Sequence, residues 1–273
     1  LGALSHPPRE HQTIALPDTR EQYQFGITAE NIRSVFNALR DRQVLVVVGP
    51  TGSGKSTYLP SCLVAPPDGL DVDREQFTRR GQTVITQPRI QASRTITEFV
   101  AGKLLGSSIG PGFDVGVSCS EDRRWDWRNK LAFVTDGTII NWIISGQLGR
   151  ISTIMIDEAH ERSLNIDLIL GLLKAQLPRY PHLKLIIASA TIDSEKFIAY
   201  YGGRERVALL EFEGKLCDVQ VFYHAGAEFT AARFDEAVEP KCIELLTAIA
   251  RREKPEGDIL AFLAVRIQNR SDA

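Results

Sequence analysis

Residues 49–56 read Gly-Pro-Thr-Gly-Ser-Gly-Lys-Ser, and they directly follow the apolar run 44–48, Val-Leu-Val-Val-Val. A strand that breaks into a glycine-rich bend and then opens a helix points several backbone N–H groups at one spot, beside the positive end of the helix dipole. Phosphate is what such a cradle holds. Gly49, Thr51, Gly52, Ser53, Gly54, Lys55, Ser56 and Thr57 are therefore the expected nucleotide-binding residues. The glycines let the backbone close in, Lys55 adds a full charge, and Ser56 is placed to put its hydroxyl on a magnesium ion. A plain glycine-rich turn needs neither Lys-Ser after its last glycine nor a buried strand before its first.

Downstream, the apolar run 151–156 leads straight into Asp157-Glu158-Ala159-His160. A buried parallel strand ending in two acids presents carboxylates at its C-terminal edge. There Asp157 can hold magnesium, directly or through water, and Glu158 can orient and polarise the water that attacks a γ-phosphate. Asp-Glu by itself equally fits the first turn of a helix, where the dipole favours acids. The phosphate loop upstream turns the pair toward metal and water, provided that the two sites converge across adjacent strands.

With Glu161-Arg162-Ser163 following it, this stretch resembles the DEAH-box helicases of superfamily 2, and residues 157–202 resemble their bacterial RNA helicase branch. Thr86-Gln87-Pro88-Arg89 is similar to the family's motif Ia, Thr135-Asp136-Gly137 to motif Ib and Ser189-Ala190-Thr191 to motif III, in the expected order. Together they cover most of residues 28–205. The resemblance implies an α/β fold: a RecA-like P-loop NTPase domain whose parallel sheet carries helices on both faces, followed by an incomplete second RecA-like lobe. It implies ATP and Mg2+ as cofactors, with Lys55, Asp157, Glu158 and His160 as catalytic residues and Ser56 and Asp157 on the metal. His160, Ser189 and Thr191 are the implied coupling between nucleotide state and lobe movement. RNA, in single-stranded segments, is the implied partner, held at phosphate and sugar by Arg89, Thr135, Asp136 and Gly137. Taken alone, Arg89 also reads as a solvated arginine and Thr135-Asp136-Gly137 as a strand-ending turn.

Two departures from the family pattern are visible. Ile90 stands where a second arginine is common, and Cys119-Ser120-Glu121 lacks an Arg-Phe pair. The family's catalytic arginines belong to its second lobe, so the expectation for this chain by itself is nucleotide binding with slow hydrolysis. A nucleotide-dependent interaction module that unwinds nothing, and a DNA helicase of the same superfamily, are the alternative readings.

Composition bounds the rest. With 273 residues, 43% hydrophobic and 24% charged, the chain reads as an ordinary globular enzyme. Its net charge of −2, from 32 basic and 34 acidic residues, gives no global basic footprint, so any nucleic-acid contact must be local. The longest apolar run, 259–265, has seven residues, far below the roughly twenty that span a bilayer. The four cysteines are dispersed, without a C-x-x-C pair, which points to a reducing cytoplasm and away from zinc.

Strands are expected at 44–48, 83–86, 131–134, 151–156 and 185–188, with helices at 93–105, 138–145 and 164–173. Thr28 is placed to cap a further helix in which Ile32, Val35, Phe36 and Leu39 form one apolar stripe. Residues 1–25 read as a loose leader, 26–205 as the ATP-binding domain and 206–273 as the truncated start of the second lobe. In that lobe, 207–212, 219–223 and 258–263 read as strands and 238–250 as a helix. Three features stay open. The run Arg123-Arg124-Trp125-Asp126-Trp127-Arg128 fits either a base-stacking platform or packed indoles with cationic neighbours. Phe99 fits a stacking residue for adenine or a core aromatic, and Pro60 falls inside an expected helix, where proline ordinarily breaks the ladder.

Overall fold

The computed structural model describes residues 25–190, 194–213, 240, 242–244 and 246–248. Seven parallel strands form one sheet in the order β3-β4-β2-β5-β6-β1-β7. In chain order the strands are β1 (Val44–Val48), β2 (Gln82–Gln87), β3 (Val115–Ser118), β4 (Leu131–Thr135), β5 (Ile151–Ile156), β6 (Lys184–Ser189) and β7 (Val207–Glu211). The helices are α1 (Ala29–Asp41), α2 (Tyr58–Val64), α3 (Ile90–Phe99), α4 (Asp136–Ile144), α5 (Leu164–Gln176) and α6 (Ser194–Tyr200).

Both faces of the sheet are covered, which is why its strands read as unbroken apolar runs rather than alternating ones. Along β1, Val44, Val46 and Val48 face a core shared with Ile139 of α4, Ile166 of α5 and Phe197 of α6. Leu45 and Val47 face the opposite core, with Phe36 of α1, Leu59 of α2 and Phe77. The α1 stripe is buried as its spacing predicts, and Thr28 and Asn31 close a reciprocal cap at its start.

Pro60 finds its explanation here. The α-helix begins only at Tyr58, after turns through 55–57, so Pro60 is its third residue. A backbone nitrogen in the first turn has no carbonyl to bond within its helix, and proline costs nothing there. The helix expected at 93–105 begins at Ile90 and passes into a wider five-residue turn at Val100–Leu104. Phe99, at that junction, packs against the core.

The strand expected to enter a second lobe lies in the first sheet. β7 pairs with β1 along its whole length, Val44 opposite Val207 through Val48 opposite Glu211. β1 left an edge open, and the partly buried strand 207–211 covers it. Within 238–250, the described residues are helical. The stretches 219–223 and 258–263 lie outside the described residues. No helix among the described residues is long and apolar enough to cross a membrane.

Candidate functional site

The C-terminal ends of β1, β2, β5 and β6 carry the residues whose chemistry the sequence pointed to. Parallel order puts them on one edge, although β1 and β5 are not neighbours, because β6 lies between them. Two strand spacings amount to about 10 Å. β6 ends on the small residues Ala188 and Ser189. The Gly49 N–H donates to the Ser189 carbonyl at 3.2 Å and anchors the loop to β6.

Gly54 adopts φ +100°, and a β-carbon there would stand 2.9 Å from Phe25 Cδ1. Glycine is thus required twice over, by backbone and by space. Phe25 stacks on Tyr58 at 4.8 Å and the Ile27 N–H donates to the Ser53 carbonyl at 3.3 Å, so the segment before α1 braces the loop from outside. Lys55 is 5% exposed. Its ammonium donates to the Gly49 carbonyl, to the Pro50 carbonyl at 2.9 Å and to Ser53 Oγ at 3.4 Å. Burial pulls its pKa below the ordinary lysine value, opposed by the charges of Glu158 and Asp157.

Asp157 is 1% exposed, and it is held from several sides. Gln87 Nε2 donates to its Oδ2 at 2.6 Å, the Glu158 N–H to its Oδ1 at 3.0 Å, and the Ser56 hydroxyl bonds it across the site. Burial still raises its carboxyl above the usual range, with those bonds and Lys55 working against the rise. Glu158 is also raised, by burial first and by Asp157 second. Its backbone is left-handed, φ 51°, a strained state for a residue with a side chain. Arg162, four positions on, is left-handed as well at φ 48°. Its guanidinium grips Asp167 of α5 at 2.7 and 3.2 Å and lies over the Phe197 ring at 5.9 Å. The turn between these two residues, Ala159–Glu161, is consequently clamped at both ends.

His160 stands at the meeting point of β5 and β6. The Ala190 N–H donates to its Nδ1 at 3.3 Å, and Glu158 Oε2 lies 3.3 Å from the same nitrogen. Both contacts meet at the one ring nitrogen, which accepts from the Ala190 N–H and lies beside the Glu158 carboxylate. The backbone N–H of Ala190 thus links His160 to the end of β6. Ser189 is buried at the end of β6. Thr191 lies outside the described residues.

On a neighbouring part of the same edge, Arg89 follows β2 with its side chain 77% exposed and Nη2 3.4 Å from Glu161 Oε1. Thr135 ends β4 and Asp136 and Gly137 open α4, so in place of the alternative strand-ending turn there is the N-terminus of a helix. Asp136 is 5% exposed, its Oδ1 has no hydrogen-bond partner among the described residues, and burial, then the charge of Glu161, raise its carboxyl.

Residues 30–198 match the DEAD/DEAH box helicase family. The chain belongs to that family. This DEAD/DEAH box domain is 34% identical over 234 residues to "ATP-dependent RNA helicase HrpA" of Escherichia coli, covering 85% of the chain and 16% of that protein. It is 30% identical over 268 residues to "Putative pre-mRNA-splicing factor ATP-dependent RNA helicase C20H4.09" of Schizosaccharomyces pombe, covering 97% of the chain and 37% of that protein. The chain therefore spans well under half the length of these relatives. The all-parallel sheet with helices on both faces accords with the RecA-like architecture expected of the family.

Sequence reasoning missed three residues of the DEAD/DEAH box site: Gln87 as the partner of Asp157, and Glu161 and Arg162 as parts of the turn behind Glu158. Gln87 carried a signal, a polar residue closing a fully buried strand. The Trp-Arg run resolves as packing. Trp125 stacks on Trp142 at 4.6 Å, meets Trp127 edge-on at 4.7 Å and donates to Gln82 Oε1 at 2.9 Å.

Proposed function

We propose that the chain is the ATP-binding lobe of an ATP-dependent RNA helicase, which binds ATP with Mg2+ and, in the complete protein, couples hydrolysis to movement along single-stranded RNA. The observation that carries this is the convergence of the buried Lys55 and Asp157 with the half-buried Ser56 on one sheet edge, Ser56 being bonded to Asp157. One carboxylate and one hydroxyl, all oxygen, suit magnesium, which takes few protein ligands and completes its shell with substrate phosphates and water. When bound, the ion offsets phosphate charge as a Lewis acid.

The remaining chemistry belongs to the chain. Lys55 exchanges its loop carbonyls for phosphate oxygens, to which the N–H groups of Gly52, Ser53, Gly54 and Thr57 also donate, with Gly49 and Thr51 shaping the loop. Glu158, its carboxylate made more basic by burial and by Asp157, orients the attacking water and accepts its proton. His160 reports the state of that carboxylate to the β6 end through Ala190, in a relay that includes Ser189 and Thr191. Arg89, Thr135, Asp136 and Gly137 line the first lobe's side of the strand path. Residues beyond Leu216 begin the second lobe, and the cytoplasm is the compartment.

Calorimetric titration of the chain with ATP, with and without Mg2+, tests the reading. Magnesium-dependent binding that Lys55→Ala abolishes is the expected result; binding indifferent to both refutes it. RNA is tested against DNA by ATP turnover of the full-length protein, and stimulation by DNA alone refutes the RNA assignment.

A further inference from the structure

Glu161 makes a contact that water activation does not require. Its carboxylate lies 3.4 Å from Arg89 Nη2, in the one ion pair that Arg89 makes among the described residues. The two partners differ in freedom. The Arg89 side chain is 77% exposed, whereas that of Glu161 is 35% exposed and sits on the turn clamped by the left-handed Glu158 and Arg162. The Glu161 N–H is bonded to the Glu158 carbonyl at 2.9 Å within that turn. A fixed acid thus holds an exposed arginine.

This pair has a buried counterpart two residues earlier, where Gln87 donates to Asp157 at 2.6 Å. The end of β2 and the turn after β5 are therefore tied twice, once at the proposed metal carboxylate and once at the surface. A guanidinium makes the same charge-assisted bonds to carboxylate and to phosphate. A carboxylate against Arg89 competes with a backbone phosphate for the same guanidinium.

We propose that Glu161 is a phosphate surrogate that holds Arg89 in the strand-free protein and is displaced by a backbone phosphate, so that strand engagement reaches the turn carrying Glu158. The proposal rests on the reading of Arg89 as a strand contact. Displacement has a local consequence. Without its cation, Glu161 is left near the buried Asp136 carboxyl, which already feels its charge and whose Oδ1 has no hydrogen-bond partner among the described residues. The uncompensated Glu161 charge then acts on the turn itself.

Fluorescence anisotropy of a labelled oligouridylate, titrated with the purified chain at low salt in the presence of Mg2+ and ATP, tests this. Arg89→Ala should weaken binding, and Glu161→Gln should tighten it about two- to fivefold, the factor by which an exposed ion pair competes. The double variant should bind no better than Arg89→Ala, because Glu161 acts through Arg89. A gain that persists without Arg89 shows simple repulsion and overturns the proposal. Unchanged affinity in Glu161→Gln overturns it while leaving Arg89 as a strand contact. Failure of Arg89→Ala to weaken binding, or no binding by any form while Mg2+-ATP binding stays intact, removes the strand reading and this inference with it. Arg89→Lys, which keeps the charge without the fork, serves if the alanine variant is unstable.

Discussion

Replacing Gln87 with leucine separates the charge of Asp157 from the shape of its site. Gln87 is 2% exposed, and its Nε2 donates to Asp157 Oδ2 at 2.6 Å. Leucine fills similar volume without donating. The buried carboxylate keeps the Ser56 hydroxyl, the Glu158 N–H and Lys55, and loses one of its two side-chain hydrogen bonds. A hydrogen bond to a charged group is worth roughly 1.5–3 kcal/mol, which moves the Asp157 proton equilibrium about 10- to 150-fold toward the protonated form. Only the ionised form takes magnesium, so Mg2+-ATP binding must then release a proton. The sign follows. Above the raised value of the variant, affinity should equal that of the parent; as pH falls, affinity should drop tenfold per pH step, to a maximum loss of roughly 10- to 150-fold once both forms are protonated. Calorimetric titration across mildly acidic to alkaline pH, repeated in buffers of different ionisation enthalpy, reads both the loss and the extra proton. A loss of the same size at every pH, or none at any pH, would refute the reasoning.

Asp136→Asn should raise stability by about 1 kcal/mol at mildly alkaline pH, because the folded carboxyl holds its proton to higher pH than the unfolded chain does. Wild-type stability then declines as pH climbs from the ordinary carboxylate range through the raised value, and urea melts at two pH values should show that decline shrinking in the variant. Trp125→Ala should cost about 3 kcal/mol in urea melts through lost contacts with Trp142 and Trp127, and leave oligouridylate affinity unchanged. Gly81→Ala should lower the calorimetric unfolding temperature, at a cost of roughly 2–4 kcal/mol. Gly81 has φ +147°, and a β-carbon there would lie 2.4 Å from the Arg150 carbonyl oxygen at the start of β5.

What was legible in the sequence is what short-range chemistry dictates. The loop 49–56 announces itself because lysine, serine and glycines at that spacing have one use, and the strands 44–48 and 151–156 announce themselves because burial on both faces demands unbroken apolar runs. The α1 cap and stripe are local too. β3 escaped notice because four residues with a glycine among them carry little periodicity. What joins distant segments was decided only by tertiary structure. Strand order is not written in any run of residues, so only the folded sheet shows β6 between the phosphate loop and the acids, and β7 sealing the edge of β1. The hydrogen bond from Gln87 to Asp157 and the ion pair from Arg89 to Glu161 span 70 and 72 residues. The pKa directions at Lys55, Asp157 and Asp136 follow from burial, which exists only once the chain has closed around them. The sequence determined which groups are present; the packed sheet determined which of them meet, and how much water is left between them.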